Sequence, residues 1–276
     1  MPPARIVFWA ATLGGVGLTL YAVLAAPPTL PMAVLAAFAY GSVVTTGVLV
    51  LRLRMFVDAV VRGPEGARGV ALTFDDGPDP ETTKEVLDVL DARGVKATFF
   101  VIGAKAARHP EMVRAILDRG HDVGVHGFAH DRLFSLRGER RVRSDLERAV
   151  RTLEELTNER PALFRPPIGH TNPTIARIAD ELELVVVGWS VAARDGIASA
   201  SAKDVVRRIT RGLEDGAIVL MHDAAERGGR RPAGVAALAG VLDAIEAKNL
   251  SVVPLRTFLP QPEDEGSSTT KRAPPS

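Results

Sequence analysis

Two adjacent carboxylates, Asp75 and Asp76, sit in the run Thr73-Phe74-Asp75-Asp76-Gly77-Pro78. Asp-Gly-Pro alone is common turn chemistry. At the end of a strand, however, adjacent side chains point to different sides, so one carboxylate can hold a metal while the other faces substrate. His126-Gly127-Phe128-Ala129-His130 spaces two imidazoles at i and i+4. On the first turn of a helix both would face one way; alone, such a pair is more often two solvated histidines. Joined by an oxygen ligand, they make a two-histidine, one-carboxylate set with open positions for water and substrate. Arg165, in Phe164-Arg165-Pro166-Pro167-Ile168-Gly169, stays protonated and can hold a nearby carboxylate ionised, or it is the exposed residue of a Pro-rich loop. The prolines fix the backbone at Ile168, whose N–H remains free to donate. His222 ends the apolar run Val219-Leu220-Met221, either as a core-edge histidine or as a general acid. His109 and His121 are assigned no role.

Apolar, β-rich runs alternate with amphipathic stretches and must position these residues. The strand candidates are Gly69–Phe74, Lys96–Ile102, His121–Val125, Ala162–Phe164, Leu184–Trp189, Ala217–Met221 and Ser251–Val253. Helical patterns lie at Glu81–Arg93, Ala106–Arg119, Glu139–Leu156, Asn172–Glu181, Ala202–Leu213 and Pro232–Ala247. Short apolar strands separated by helices imply a parallel sheet covered by helices, either open or closed into a barrel. Asp75, Asp76, His126, Arg165, Asp195 and His222 all fall at or just beyond strand ends. In parallel α/β folds those ends share the face where sites are built.

The N-terminus has a different composition. From Ile6 to Leu51 there is no Asp, Glu, Lys, Arg or His, and all 34 basic and 33 acidic side chains lie elsewhere. Prolines 27, 28 and 31 divide this stretch into 6–26 and 32–51, each long enough to span about 30 Å as a helix. A cleaved signal peptide could account for the first segment but not the second. Two transmembrane helices in a hairpin are expected, and with them a lipid bilayer as partner. Arg5 precedes the first, and Arg52, Arg54 and Arg62 follow the second; the positive-inside rule puts both ends and the soluble domain on the cytoplasmic side. Absence of cysteine excludes disulfide scaffolds and thiolate metal sites. Net charge +1 with interspersed Arg and Glu gives nucleic-acid binding no support. Nothing specifies a protein partner.

In order, TFDDGP, HGFAH, FRPPIG, Trp189 with Asp195, and LMHD resemble the motifs of the polysaccharide deacetylase family, also known as the NodB-homology or carbohydrate esterase family 4 domain. The resemblance runs from about Arg68 to Val253. It implies an α/β fold, a distorted (β/α)7 barrel, preceded here by the two-helix transmembrane hairpin. The expected organisation is a membrane segment at 1–61, a linker at 62–68, the deacetylase domain at 69–259 and a disordered tail at 260–276. The resemblance further implies Asp76, His126 and His130 as metal ligands, for Zn²⁺ or for Co²⁺ or another divalent ion. It makes Asp75 the general base, His222 the acid, and Arg165 the partner of the base. Asp195 tunes the acid, and the Ile168 N–H is the oxyanion donor. Three positions depart from the family pattern: Gly127 replaces a hydroxyl residue, Ile168 an aromatic, and Gly196 an aromatic. The expected function is a membrane-anchored, metal-dependent hydrolase removing an N-acetyl or other N-acyl group from an amino-sugar glycan. Alternatives are a deacylase of a lipid-linked sugar at the cytoplasmic membrane face, and a non-catalytic carbohydrate-binding membrane protein.

Overall fold

The structure is a computed structural model that describes residues 1–260; the tail expected at 260–276 lies, beyond Pro260, outside the described residues. Its centre is β1 (Val70–Asp75), buried at all six positions, as suits a strand covered on both faces. Around it run β2 (Thr98–Val101), β3 (Asp122–Val125), β4 (Leu163–Phe164), β5 (Val185–Val186), β6 (Val191–Ala192) and β7 (Ala217–His222). All pairings are parallel, in the order β5-β4-β3-β2-β1-β7-β6. The sheet curls into a half-barrel, and β5 and β6 are its two edges. Register aligns the strand ends: Asp75 lies beside His222, and Val125 beside Phe164. The residues that follow, His126 and Arg165, therefore emerge at one rim.

Seven strands were expected, but one differs. Ser251–Val253 makes only an isolated bridge, Val252 to Val70. β1 already has β2 and β7 on its two sides, so no ladder can grow there. The seventh strand is the two-residue β6, too short to leave a periodic signature.

The covering helices are α3 (Thr82–Ala92), α4 (Gly103–Ala106), α5 (Pro110–Asp118), α6 (Glu139–Thr157), α7 (Pro173–Glu181), α8 (Ala202–Gly212) and α9 (Ala233–Ala247). The single helix expected over Ala106–Arg119 is two. Pro110 cannot continue a preceding helix but is well suited to the first turn of a new one. α6 buries Val142, Leu146, Ala149, Val150 and Leu153, one stripe at helical period. Asn172 starts α7, its side chain accepting the Ile175 N–H at 2.8 Å. Phe74 stacks on Phe99 with ring centroids 5.1 Å apart inside the core.

The N-terminal segments form α1 (Pro3–Leu24) and α2 (Leu30–Leu49), antiparallel and joined at the prolines. Both are long and apolar enough to cross a membrane, with mean hydropathy 1.8, and their side chains are almost entirely unburied. α2 ends before Leu51, which turns into a short 3-10 segment and packs into the domain with Met55, Val57 and Ala59. The chain then follows the barrel: Val60 bridges Val187, and the Gly63 N–H donates to Gly216 O at 2.8 Å. Several contacts tie the hairpin to the domain, among them Arg5 donating to the Arg54 and Met55 carbonyls at 3.3 Å and Phe8 lying edge-on to Phe56. Arg5 pairs with Asp58 at 3.0 Å, and the Thr171 N–H donates to Val48 O at 3.0 Å.

Candidate active site

The reactive side chains stand on the last residue of a strand or in the loop just beyond one, and they converge. Asp76 Oδ1 lies 3.3 Å from His130 Nε2 and 3.6 Å from His126 Nε2. All three residues are buried. A helical turn would aim both histidines the same way. They stand instead on an irregular loop, with His130 at φ +48°, and their rings approach to 4.8 Å between centroids. Asp76 at φ +75° and Ile168 at φ +52° are also left-handed. Such backbone costs about 1–3 kcal/mol per residue and collects at functional sites. Ile, being β-branched, is the least suited of the three.

Loop packing fixes that geometry. Asp145, from α6, accepts the N–H groups of Phe128 at 2.7 Å and Ala129 at 3.1 Å, so the helix grips the histidine loop from behind. Gly127, at φ +74°, is where a side chain would meet Asp145 Oδ1. Lys105 Nζ donates to Asp76 O at 2.6 Å and Ala225 O at 2.5 Å, joining the aspartate loop to the loop after β7. Glu226 on that loop faces His130 Nδ1 at 3.2 Å and is held by Arg132 at 2.7 Å. Neither Asp145, Lys105 nor Glu226 was distinguishable in the sequence, because each lies in a charge-rich stretch and acts on residues far along the chain.

Asp76, His126 and His130 suit a divalent cation. Their ligand atoms lie within 4.8 Å of one another, and Asp76 Oδ1 is buried without a hydrogen-bond partner. Buried polar atoms of this kind need an explanation. His126 Nδ1 lies 2.7 Å from Arg165 O and can only donate to it, so Nε2 keeps its lone pair toward Asp76. Burial pulls the His126 imidazole below its ordinary pKa, which favours the neutral, ligating form.

Arg165 is fully buried in the half-barrel, not exposed on a loop. It donates to Asp75 Oδ1 at 2.7 Å, Thr73 Oγ1 at 2.8 Å, Gly188 O at 2.9 Å and Val187 O at 3.3 Å. Its guanidinium also covers the Phe100 ring at 4.2 Å. One side chain thus bridges β1 to the chain leaving β5 and pins Asp75. His222 Nδ1 lies 2.7 Å from Asp195 Oδ1, while Asp195 Oδ2 accepts the His222 backbone N–H at 2.9 Å. Burial opposes charge on His222, but the Asp195 hydrogen bond and charge, with Asp76 and Asp75, push its pKa up to about 9. Its Nε2 points at Asp76 Oδ2, 3.8 Å away.

The site opens into a cavity of about 750 Å³, walled by Trp189, Ile168 and Ile197 and rimmed by Arg132, Arg194 and Arg230. Gly169 faces the Trp189 ring, which a Cβ there would meet at 2.4 Å. A carboxylate fixed by Arg165 and an imidazolium donor fixed by Asp195, both beside a three-ligand set, can run acid–base hydrolysis of a polarised carbonyl.

The polysaccharide deacetylase family model matches residues 62–187. A peptidoglycan-N-acetylglucosamine deacetylase of Bacillus cereus is 34% identical over 199 residues, which cover 71% of this chain and 90% of that protein. The crystal structure of the Bc1960 peptidoglycan N-acetylglucosamine deacetylase superposes with TM-score 0.67 at 31% identity, covering 72% of this chain and 91% of its own. A family 4 acetyl xylan esterase from Clostridium thermocellum, solved with a cobalt ion, gives TM-score 0.62 at 30% identity, covering 68% and 89%. With these matches along nearly the whole domain, the chain belongs to the polysaccharide deacetylase family, the NodB-homology or carbohydrate esterase family 4 group.

Proposed function

We propose that this chain is a membrane-anchored, metal-dependent deacylase that removes the N-acetyl, or another N-acyl, group from an amino sugar of a glycan. The observation that carries the proposal is the placement of Asp75, pinned by Arg165, and His222, pinned by Asp195, around Asp76, His126 and His130 in one cavity. A divalent cation held by those three ligands, Zn²⁺ or Co²⁺, would supply Lewis acidity toward the acyl carbonyl and water.

The chain's own residues do the rest. Asp75, pinned by Arg165 at 2.7 Å, accepts the proton of the attacking water as its oxygen bonds to the acyl carbon. His222, protonated at neutral pH, donates from Nε2 to the amide nitrogen as the C–N bond breaks and its electron pair goes to nitrogen. The products are a carboxylate and a free amine. Asp195 fixes the tautomer and direction of His222 by taking Nδ1–H. Ile168, 42% exposed at the cavity wall, borders the acyl group, and its backbone N–H is the proposed oxyanion donor. An aliphatic chain there, and glycine at 196, suit a less polar pocket than an aromatic would build.

Anchoring rests on α1 and α2, whose exposed apolar surfaces have no counterpart in a soluble core. Arg5, Arg52 and Arg54 cluster at the hairpin end that meets the domain, and the positive-inside rule places that end in the cytoplasm.

The test is acetate release from an N-acetylglucosamine oligomer by the full chain loaded with Zn²⁺ or Co²⁺. Asp75→Ala should lower turnover by orders of magnitude with the metal still bound, and His126→Ala should lose the metal itself. Wild-type rates in Asp75→Ala would remove the assigned base.

A further inference from the structure

A second hollow of about 570 Å³ lies beside the catalytic cavity and shares Trp189, Ala192 and Arg194 with it. Its other charged residues are Arg52, immediately beyond α2, and Arg208 on α8. Arg132, at the rim of the catalytic cavity, is matched with Glu226. Arg52, Arg194 and Arg208, by contrast, have no ion pair among the described residues. Arg208 donates only to the Ala193 carbonyl, and Arg194 is held at φ +53°, an uncommon state for a long side chain. Three arginines without carboxylate partners thus line one hollow, and arginine forks suit phosphate oxygens.

Position adds the second half of the inference. Arg52 sits where α2 ends, and Val48 O of α2 accepts the Thr171 N–H, three residues past Ile168 of the catalytic wall. The hollow therefore lies between the catalytic cavity and the end of an apolar helix. Beyond the hairpin, the large apolar side chains exposed among the described residues are Leu133, Leu136, Ile168 and Ile197. Ile168 and Ile197 wall the catalytic cavity, and Leu133 and Leu136 lie on the segment between β3 and α6. An apolar rim with a basic hollow next to a membrane span matches an amphiphile whose charged group lies at the bilayer surface.

We infer that the Arg52–Arg194–Arg208 hollow binds the phosphate of a lipid-linked amino sugar, whose N-acyl group then reaches the catalytic cavity. The inference rests on the deacylase reading for the identity of the sugar, and on the hairpin for the lipid.

The experiment uses the full chain in neutral phosphatidylcholine nanodiscs with three probes. These are N-acetylglucosamine joined through phosphate to a farnesyl chain, N-acetylglucosamine 1-phosphate, and neutral chitotetraose. Equilibrium binding and acetate release are measured separately. The farnesyl phosphate probe should bind at least about tenfold more tightly than chitotetraose, the scale of one charge-assisted contact. Arg52→Ala combined with Arg194→Ala should abolish that preference, with Arg52→Lys keeping part of it. Zn²⁺ stoichiometry and melting temperature report whether the variants fold. Independently of any variant, wild-type binding of the phosphate probe should weaken with salt far more steeply than binding of chitotetraose.

No preference for the phosphate probe, or a preference that survives the double substitution, overturns the anion site. Equal affinity for the farnesyl phosphate probe and N-acetylglucosamine 1-phosphate overturns the lipid part. Tight, arginine-dependent binding without acetate release from any probe sustains the anion site and removes the deacylase reading, so the two failures are separable.

Discussion

The Arg165–Asp75 pair gives a prediction that can be worked through in magnitude. The contact is 2.7 Å, with the two side chains 0% and 4% exposed, so solvent screens it little. Arg165→Met removes the charge opposite Asp75 and leaves Thr73 Oγ1, Val187 O and Gly188 O without that donor. Breaking a buried pair from one side costs about 3–5 kcal/mol, with more for each polar atom stranded. That is a large share of the roughly 5–15 kcal/mol that holds a typical domain together. Asp75→Ala strands the guanidinium instead, at a similar cost, but its remaining bonds to carbonyls offset part of the loss. Made together, the two substitutions remove both charges. The double variant should therefore be more stable than the sum of the single losses predicts, by roughly 3 kcal/mol, near the top of measured couplings between touching residues. Denaturant titration of the full chain in detergent, followed by tryptophan fluorescence (Trp189 stands at the site), measures all four corners of the cycle. A coupling below about 0.5 kcal/mol, the scale of an exposed pair, would refute the claim that Arg165 is what pins Asp75 in place.

Other consequences follow from the same contacts. His222 is raised above its ordinary value, so its protonated form persists through neutral pH and is lost as pH rises through about 9. Asp195→Asn should move the alkaline limb of kcat/KM down by at least about one unit, the effect of a lost opposite charge, and an unmoved limb would exclude His222 as the acid. Gly234→Ala places a Cβ 2.0 Å from Asp195 Oδ2, so turnover should fall with metal content unchanged; wild-type turnover would mean Asp195 does not orient the acid. Asp223 is buried beside Thr83, which donates to it, and burial raises its pKa to about 7. In the metal-free protein this costs stability as pH rises from about 4 to 7, by a contribution on the order of 4 kcal/mol from a shift of that size. Asp223→Asn should flatten that slope, which denaturation in EDTA at several pH values would detect.

The sequence carried the site further than it carried the fold's edges. Asp75, Asp76, His126, Arg165 and His222 were legible because each stands where an apolar run stops, and parallel register brings such stops to one rim. Asp195 was legible as a residue beyond the strand expected at Leu184–Trp189, whereas β6, the strand it follows, is two residues long and leaves no period to read. A helical turn, the arrangement that would aim His126 and His130 the same way, is not what brings them together. Gly127 and His130 both take positive φ, which helical spacing cannot reveal, and the pair meets through a loop that Asp145 grips from α6. Supporting residues such as Glu226 and Lys105 act across long sequence separations, where local pattern holds no information.

The hairpin and the site are joined through the same short stretch of chain. Leu51 packs against Gly188, whose carbonyl accepts from Arg165, and the Gly188 N–H donates to Val60 O at 2.9 Å. The segment leaving the second apolar helix thus lines the open edge of the half-barrel, next to the chain that Arg165 uses to hold Asp75. The geometry of Asp75, the proposed general base, is consequently coupled to the seating of residues 51–61. A substitution such as Leu51→Ala, which empties a buried position with no contact to the cavity, should cost about 2–5 kcal/mol of stability. It should also lower kcat more than it raises KM, because it loosens Gly188 and through it Arg165. Equal kcat in the variant and the wild type, despite lost stability, would show that the half-barrel holds its base without help from the anchor.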